Sequence, residues 1–410
     1  MSATKGRVAV IGGSLAGCAV ASVFQRAGFD VDVYERTAID LQGRGAGIVL
    51  PVHLQTQLIM NGFLPENYAG CPLQQRDWIV DDKSIEGRTL WQQDVSASTH
   101  HWGALWRKLR AGIADNHYHN DAELLDYDNT RDGVTFRLSN GQERHVDLLV
   151  AADGYRSKVR ELMPWGSESD YAGYVLWRGN FEESRALDRT SINRMDTSRS
   201  WLSVCYPGGH SVVYMIPGLA GDDAYLTERR VNWAIYTQPP HGLKLHEPTS
   251  VPEGGVDEAL YSQLSDLLSS SFPPQIASLI RLSQREEVSI QPIYDELAVH
   301  FCDQRVMLAG DAAAVVRPHT ASGATKALQD ALAIEQLLAQ HDDLDTLLNA
   351  YAQERLAACN TLVNIGRRIG KAQVEETPDW PSMTSTDFEL WNASVFDGHF
   401  LYLYADDKDT

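Results

Sequence analysis

Long apolar runs are missing from this sequence, and no stretch stays uninterrupted for the roughly 20 residues that a bilayer crossing requires. No charged segment with a short apolar one behind it precedes the first strand pattern, so we expect a cytoplasmic protein. Cysteine is scarce and odd in number. Cys18, Cys71, Cys205, Cys302 and Cys359 show no C-x-x-C spacing, which excludes a disulfide framework and fits a reducing compartment. Basic charge is in deficit: 35 Lys and Arg face 55 Asp and Glu, a formal charge of −20. That balance excludes long-range attraction to nucleic acid or to an anionic membrane. Internal repeats and low-complexity tracts are also absent. What remains is a chain of 410 residues, 43% hydrophobic, long enough for two or three domains with a sizeable core.

The most informative stretch is Val8-Ala-Val-Ile-Gly-Gly-Ser-Leu-Ala-Gly17, followed by an apolar helix pattern and then Val31-Asp-Val-Tyr-Glu35. The β-branched run suits a buried parallel strand, and Gly12 and Gly13 let the chain reverse without a Cβ clash. A helix starting near Ser14 aims its free N–H groups at whatever lies above the turn, which favours a pyrophosphate on Gly12, Gly13, Ser14, Leu15, Ala16 and Gly17. Glu35, 23 residues after Gly12, ends the second strand where a ribose hydroxyl would lie. The second fingerprint glycine is replaced by Ser14, so the turn must be slightly wider. NAD and FAD both remain open on these residues alone.

Next comes Gly43-Arg-Gly-Ala-Gly-Ile-Val-Leu-Pro51, a glycine-rich turn that permits close approach to a flat ligand. Residues 54–62 read as a helix, 70–99 as a polar excursion with Trp78 and Trp91 at strand-like positions, and 98–111 as a helix. Val134-Thr-Phe-Arg-Leu-Ser-Asn-Gly141 signals a hairpin. A buried strand then ends at Asp153-Gly154, and in open α/β sheets ligands gather at such carboxyl ends. Between about 171 and 290, aromatic-rich strands at 171–177, 201–206, 212–216 and 231–236 replace the strand–helix alternation and predict a separate antiparallel domain. Within it, 239–255 reads as a long covering loop. Another buried strand ends at Gly310-Asp311, and Pro318-His319-Thr-Ala-Ser-Gly323 leads into a helix whose N–H groups face the same rim.

Taken together, Gly12–Gly17 with Glu35, Asp153-Gly154 with Arg156, and Gly310-Asp311 with Pro318 and Gly323 resemble the single-component (class A) FAD-dependent aromatic hydroxylases, the para-hydroxybenzoate hydroxylase class, over residues 7–370. Tyr171-Ala-Gly-Tyr-Val-Leu-Trp-Arg-Gly179 and Arg317-Pro-His-Thr-Ala-Ser-Gly-Ala-Thr-Lys326 are similar to its 2,6-dihydroxypyridine 3-hydroxylase branch. Ala314 stands where the family commonly has His, as in that branch, and Trp102 replaces an Arg that usually contacts flavin. The resemblance implies an α/β fold: a Rossmann-like FAD-binding domain (1–75, 98–170 and 285–345), an inserted antiparallel β-sheet substrate domain (76–97 and 171–284) and a C-terminal helical segment (346–410). It implies FAD held by the first motif with Glu35, Arg36, Arg44, Gly47, Asp153, Gly154, Gly310, Asp311, Pro318, Gly323 and Ala324, with NADH or NADPH as co-substrate. Hydroxylation would pass through a flavin C4a-hydroperoxide attacked by an electron-rich aromatic or N-heteroaromatic ring. Competing readings are an FAD-dependent halogenase, for which no Trp-x-Trp-x-Ile-Pro run is present, and a flavin-binding regulatory protein without turnover. A homodimer is carried as an expectation.

Candidate ring-facing residues are His319, His53, His210 and Tyr214. An imidazole has an unperturbed pKa near 6.5, suited to holding a ring hydroxyl or taking its proton. Tyr214 alternates with Val212 and Ile216, so these share one face, either the pocket or the core. Arg178 could pair with an anion or serve as a structural stack. No carboxylate-binding arginine cluster is legible beside it, which predicts a neutral hydroxylated ring. His117 and His119 share a strand face without a legible third ligand, so we read them as surface residues and expect no metal. The acidic run 406–409 reads as a solvated tail.

Overall fold

The computed structural model describes residues 4–43, 47–68, 70–166, 169–187, 200–218, 228–243 and 250–399. Val8 to Val10 are almost completely buried in the Arg7–Ile11 strand, which lies inside a six-stranded sheet. The order across it is 302–303, 306–308, 148–151, 7–11, 30–34 and 118–119. Neighbours run parallel except 302–303 against 306–308. Strands covered on both faces need continuous apolar runs, and Leu148–Ala151 and Val306–Leu308 are buried throughout. The covering helices Leu15–Arg26 and Gly323–Gln340 pack on one another, and Leu344–Gly370 joins the same core through Leu347, Leu348 and Tyr351. The Asn140-Gly141 hairpin forms as expected, within a three-stranded meander of 124–130, 133–138 and 143–146.

The second sheet has eight strands in the order 288–295, 170–182, 230–237, 209–216, 200–206, 71–80, 88–101 and 47–51. All pairings are antiparallel except 200–206 against 71–80, which is parallel. Side chains alternate across a strand, so this sheet has two apolar faces with different uses. Val175, Trp177, Val213, Met215, Trp233 and Ile235 pack into a core closed by the Glu258–Ser271 and Pro274–Ile280 helices. Tyr174, Leu176, Val212, Tyr214, Ala234 and Tyr236 form the opposite face.

The expected boundaries shift accordingly. Cuts at 75/76 and 97/98 fall inside the Cys71–Val80 and Arg88–His101 strands, and both Gly47–Pro51 and Val288–Asp295 belong to the large sheet. The helix expected from 98 begins only at Trp102, because residues 97–101 pair with 47–51 and their buried backbone takes its hydrogen bonds there. The last long helix begins at Leu344, with the Asp343 carboxylate accepting from Thr346 N at 2.8 Å. Among the described residues, no helix is long and apolar enough to cross a membrane.

Candidate active site

Two cavities meet at the carboxyl ends of the parallel strands. The smaller, about 320 Å³, is lined by Gly12, Ser14, Glu35, Arg36, Asp153 and Gly154. Its floor is backbone. Gly12 has φ +100°, and a Cβ there would sit 2.3 Å from the Ala152 carbonyl oxygen; one on Gly17 would sit 1.8 Å from that of Gly12. Only glycine lets strand and helix approach this closely. Ser14 precedes the Leu15–Arg26 helix without capping it through its side chain, which leaves first-turn N–H groups available to an anion. The Glu35 carboxylate accepts from Gly13 N at 2.8 Å and Thr37 N at 2.9 Å, so it is fixed at the cavity wall.

The larger cavity, about 400 Å³, shares Ser14, Trp102, Ala152 and Gly154 with the first. One side carries Gly47, Asp311, Pro318, Gly323 and Ala324; the other carries the open face of the large sheet, with Tyr214, His210, Tyr236, Trp201, Arg76 and Arg178. Gly310 turns the chain into Asp311 at φ +60°, against the Ala16 methyl. The Lys326 ammonium, fully buried, lies 3.7 Å behind the half-exposed Asp311 carboxylate. Gly47 is held at both ends, its N–H donating to Asn232 Oδ1 at 2.9 Å and its carbonyl accepting from Tyr214 Oη at 3.2 Å. His319 sits on a 3₁₀ turn that starts at Pro318, and its ring stacks on Tyr236 at 4.2 Å; His210 stacks on the same ring at 4.4 Å. Burial pushes both imidazoles well below the ordinary histidine value, helped by neighbouring His319, Arg317 and Arg76 charge, and pushes Tyr214 up to about 12.

Comparison with known proteins gives this arrangement a chemistry. Residues 171–295 match an "FAD binding domain-like" family model and 261–365 an "FAD binding domain" model. The chain is 27% identical to a 2,6-dihydroxypyridine 3-monooxygenase of Paenarthrobacter nicotinovorans, over 89% of this chain and 90% of that protein. It is 25% identical to a 6-hydroxynicotinate 3-monooxygenase of Bordetella bronchiseptica, over 92% and 94%. The solved structure of 2,6-dihydroxypyridine-3-hydroxylase from Arthrobacter nicotinovorans superposes with a TM-score of 0.80 at 26% identity, over 93% of this chain and 97% of that one. The chain is an FAD-dependent aromatic monooxygenase.

The residues of this monooxygenase fit its flavin. The glycine turn offers a backbone cradle that any Cβ would fill, and the buried Asp153 Oδ1 has no partner among the described residues, as expected of a group held ready for a ligand. Of the residues named from the sequence, Gly12, Ser14, Leu15, Ala16, Glu35, Arg36, Gly47, Asp153, Gly154, Asp311, Pro318, Gly323 and Ala324 line one cavity or both. Gly13, Gly17 and Gly310 stand behind the lining, and Arg44 lies outside the described residues, as does the 406–409 tail. His319, His210 and Tyr214 come together on the larger cavity. His53 does not join them: it lies half-buried in the first turn of the Val52–Met60 helix, away from both linings. Residues 244–249 of the covering loop are outside the described set; Ser250 lines the larger cavity.

Sequence reasoning missed Tyr236, Trp201 and Arg76. Tyr236 could have been found, since it alternates with Ala234 as Tyr214 does with Val212. Arg76 could not, because its place depends on the parallel pairing of its strand with 200–206. Its guanidinium donates to Ser203 Oγ at 2.9 Å and lies 3.7 Å from the Trp78 ring centroid and 4.4 Å from that of Trp201. Arg76 thus lines the same cavity as Arg178, but three strands separate the two, and Arg178 turns the other way, to Gln291 at 3.5 Å. His117 and His119 both contact Asp32, at 3.0 and 3.1 Å, an acid brought by the neighbouring strand; among the described residues no group of three or more ligands could hold a metal. Trp102, the departure from the family pattern, lines both cavities.

Proposed function

We propose that this monooxygenase hydroxylates a hydroxylated N-heteroaromatic ring of the dihydroxypyridine kind, using NADH or NADPH and O2, in the cytoplasm and as a homodimer. The observation that carries this reading is the larger cavity's wall, where Tyr214, His210 and His319 bring hydroxyl and imidazole groups to an aromatic surface of ring size. The names of the two relatives support the ring class. When bound and reduced, FAD supplies the activated oxygen. N–H groups at Ser14 to Gly17 would hold its pyrophosphate, Glu35 its adenosine ribose and Asp311 its ribityl chain, and Pro318, Gly323 and Ala324 would stand on the side of the flavin ring. Tyr236, Trp201 and Leu176 hold the substrate flat and exclude water, which protects reactive oxygen from unproductive decay.

A second reading has its own observation. Arg76, held by Ser203 and the Trp78 and Trp201 rings on the cavity wall, would suit a ring that carries a carboxylate as well as a hydroxyl. A panel of 2,6-dihydroxypyridine, 6-hydroxynicotinate and hydroxybenzoates decides between them, scored by NAD(P)H consumption together with product mass. We expect 2,6-dihydroxypyridine to give coupled hydroxylation. Efficient turnover of 6-hydroxynicotinate alone would favour the carboxylate reading, and efficient turnover of hydroxybenzoates with inert pyridines would overturn the ring class.

A further inference from the structure

Gly13, at the turn beneath the smaller cavity, is gripped from both sides. Its N–H donates to the Glu35 carboxylate at 2.8 Å. Its carbonyl oxygen accepts from Trp106 Nε1 at 2.8 Å and from Tyr118 Oη at 3.0 Å, with the Cys18 thiol 3.2 Å away as a weaker third donor. The donors come from three elements: Cys18 from the Leu15–Arg26 helix, Trp106 from the Trp102–Arg110 helix and Tyr118 from the edge strand of the parallel sheet. Trp106 and Tyr118 are both buried. Glycine at position 13 is what admits the phenol, since a Cβ there would sit 2.1 Å from Tyr118 Oη.

A carbonyl offers two lone pairs, so three donors are more than its own satisfaction requires. The indole can only donate. Burial holds Tyr118 in its phenol form, so its oxygen keeps the proton it donates. The Arg110 guanidinium, 4.1 Å from the Tyr118 ring centroid, draws electron density away from that hydroxyl. The Gly13 carbonyl and the Ser14 N–H are the two ends of one peptide group. Among the described residues no peptide is cis, so these ends point in opposite directions. The carbonyl points back among the three buried donors, and the N–H therefore points forward, where Ser14 lines both cavities. Among the described residues that N–H has no backbone acceptor. Donation to a carbonyl oxygen leaves the N–H of the same peptide more positive, a strengthening of about 10–30% per bond.

We propose that Trp106 and Tyr118 polarise the Gly13–Ser14 peptide from behind and so make the Ser14 N–H a strengthened donor to the flavin pyrophosphate. This rests on the placement of the pyrophosphate at Ser14 to Gly17 proposed above, and it adds two side chains that set flavin affinity without reaching the flavin. Neither lines a cavity. Both are positioning residues, acting through one peptide group.

The test uses holoenzyme made by cell-free synthesis, with glycine labelled in 13C at its carbonyl and serine in 15N. The sequence has two Gly-Ser peptides, 13–14 and 166–167, so two amide signals arise and Ser14→Ala identifies the first by its loss. In the wild type we expect the Gly13 carbonyl carbon downfield of the ordinary glycine range, and the Ser14 amide proton downfield and coupled to a flavin phosphorus across the hydrogen bond. An ordinary Gly13 carbonyl shift overturns the proposal even if no variant folds. Tyr118→Phe, which removes one oxygen, should move both signals upfield and raise the FAD dissociation constant about two- to tenfold, the range of one neutral hydrogen bond. Trp106→Phe should do the same, both read from flavin fluorescence released on dilution. A loss of affinity with an unmoved Gly13 carbonyl would assign the two rings to packing alone and overturns the polarising role. A wild-type Ser14 proton without phosphorus coupling overturns the placement of the pyrophosphate and the proposal together. A coupled Ser14 proton with unchanged affinity in both folded variants overturns the proposal and leaves the placement standing.

Discussion

The two cavities share a rim and are made of different material. The smaller is shaped by backbone: glycines at tight turns, a helix terminus and one carboxylate bound to main-chain N–H groups. The larger is shaped by side chains drawn from several strands of the large sheet and from the 3₁₀ turn at Pro318. A backbone-built site tolerates little substitution, because its geometry is the geometry of the fold. A side-chain-built site can be re-lined without disturbing the strands beneath it. This is the arrangement expected of a scaffold that keeps one cofactor and varies its ring substrate.

The sharpest way to break the comparison is to give the backbone site a side chain. Gly17→Ala would place a methyl 1.8 Å from the Gly12 carbonyl, so strand and helix must separate. We expect purified protein without flavin and a stability loss of at least the ~1–3 kcal/mol typical of overpacking, read by flavin-to-protein absorbance ratio and thermal melting. A flavin-loaded variant with an unchanged melting temperature would show that the close approach is not required.

Asp311→Ala and Glu35→Ala come next, since each removes a charged acceptor from the cofactor side. Each lost charge-assisted hydrogen bond costs about 1.5–3 kcal/mol, which corresponds to a rise in the FAD dissociation constant of roughly 10- to 150-fold. Asp311→Ala should lose most of its flavin on purification, while neither variant should change the preference between NADH and NADPH. A changed nucleotide preference with unchanged FAD affinity would remove Glu35 from the flavin.

Acid should act on the side-chain region. His100 is fully buried in the large sheet and burial pushes it down to about 3; His101 beside it falls to about 4 through burial and then Arg230 and Arg107. Between each of these values and the ordinary 6.5, the unfolded chain binds a proton that the folded chain does not. Stability is therefore complete above about pH 6.5 and declines as the pH falls, with His100 alone removing about 2 kcal/mol at pH 5. Melting temperature measured from pH 8 to 5 should drop, and His100→Gln should flatten the drop even though it also loses the 2.7 Å contact with Ser98.

The smallest effect is expected from Tyr214→Phe. The hydroxyl donates to the Gly47 carbonyl at 3.2 Å, and a neutral hydrogen bond is worth about 0.5–1.5 kcal/mol. We expect a few-fold loss in kcat/KM with FAD affinity unchanged, because the ring remains on the cavity wall. A large loss of FAD in this variant would mean that the two cavities are less separate than their construction implies.

Much of this was legible in the residues. The strand ending at Gly12, the acid at Glu35 and the Gly310-Asp311 turn are local signals, each contained within one strand and its following turn, and they carried the cofactor and the fold class. The alternation of Val212, Tyr214 and Ile216 showed that these side chains share a face but not what that face meets. His53 illustrates the limit from the other side: it follows the right strand and lies in the first turn of the helix beyond it, half-buried and clear of the cavity.

By itself the sequence determined a nucleotide-binding α/β unit with an aromatic-rich sheet inserted into it, because strand and helix periodicity, glycine at turns and an acid at a strand end are properties of short segments. Only the tertiary structure decided which side chains line the larger cavity. The parallel pairing of 71–80 with 200–206 brings Arg76 beside Trp201, and the fold of 170–182 over the turn at Pro318 joins Tyr174, His319 and His210 across more than a hundred residues. Such contacts are set by register between strands far apart in the chain and by the placement of the turn that carries His319, and a shift of one residue in a strand would turn its Arg76, Tyr174 or His210 to the opposite face.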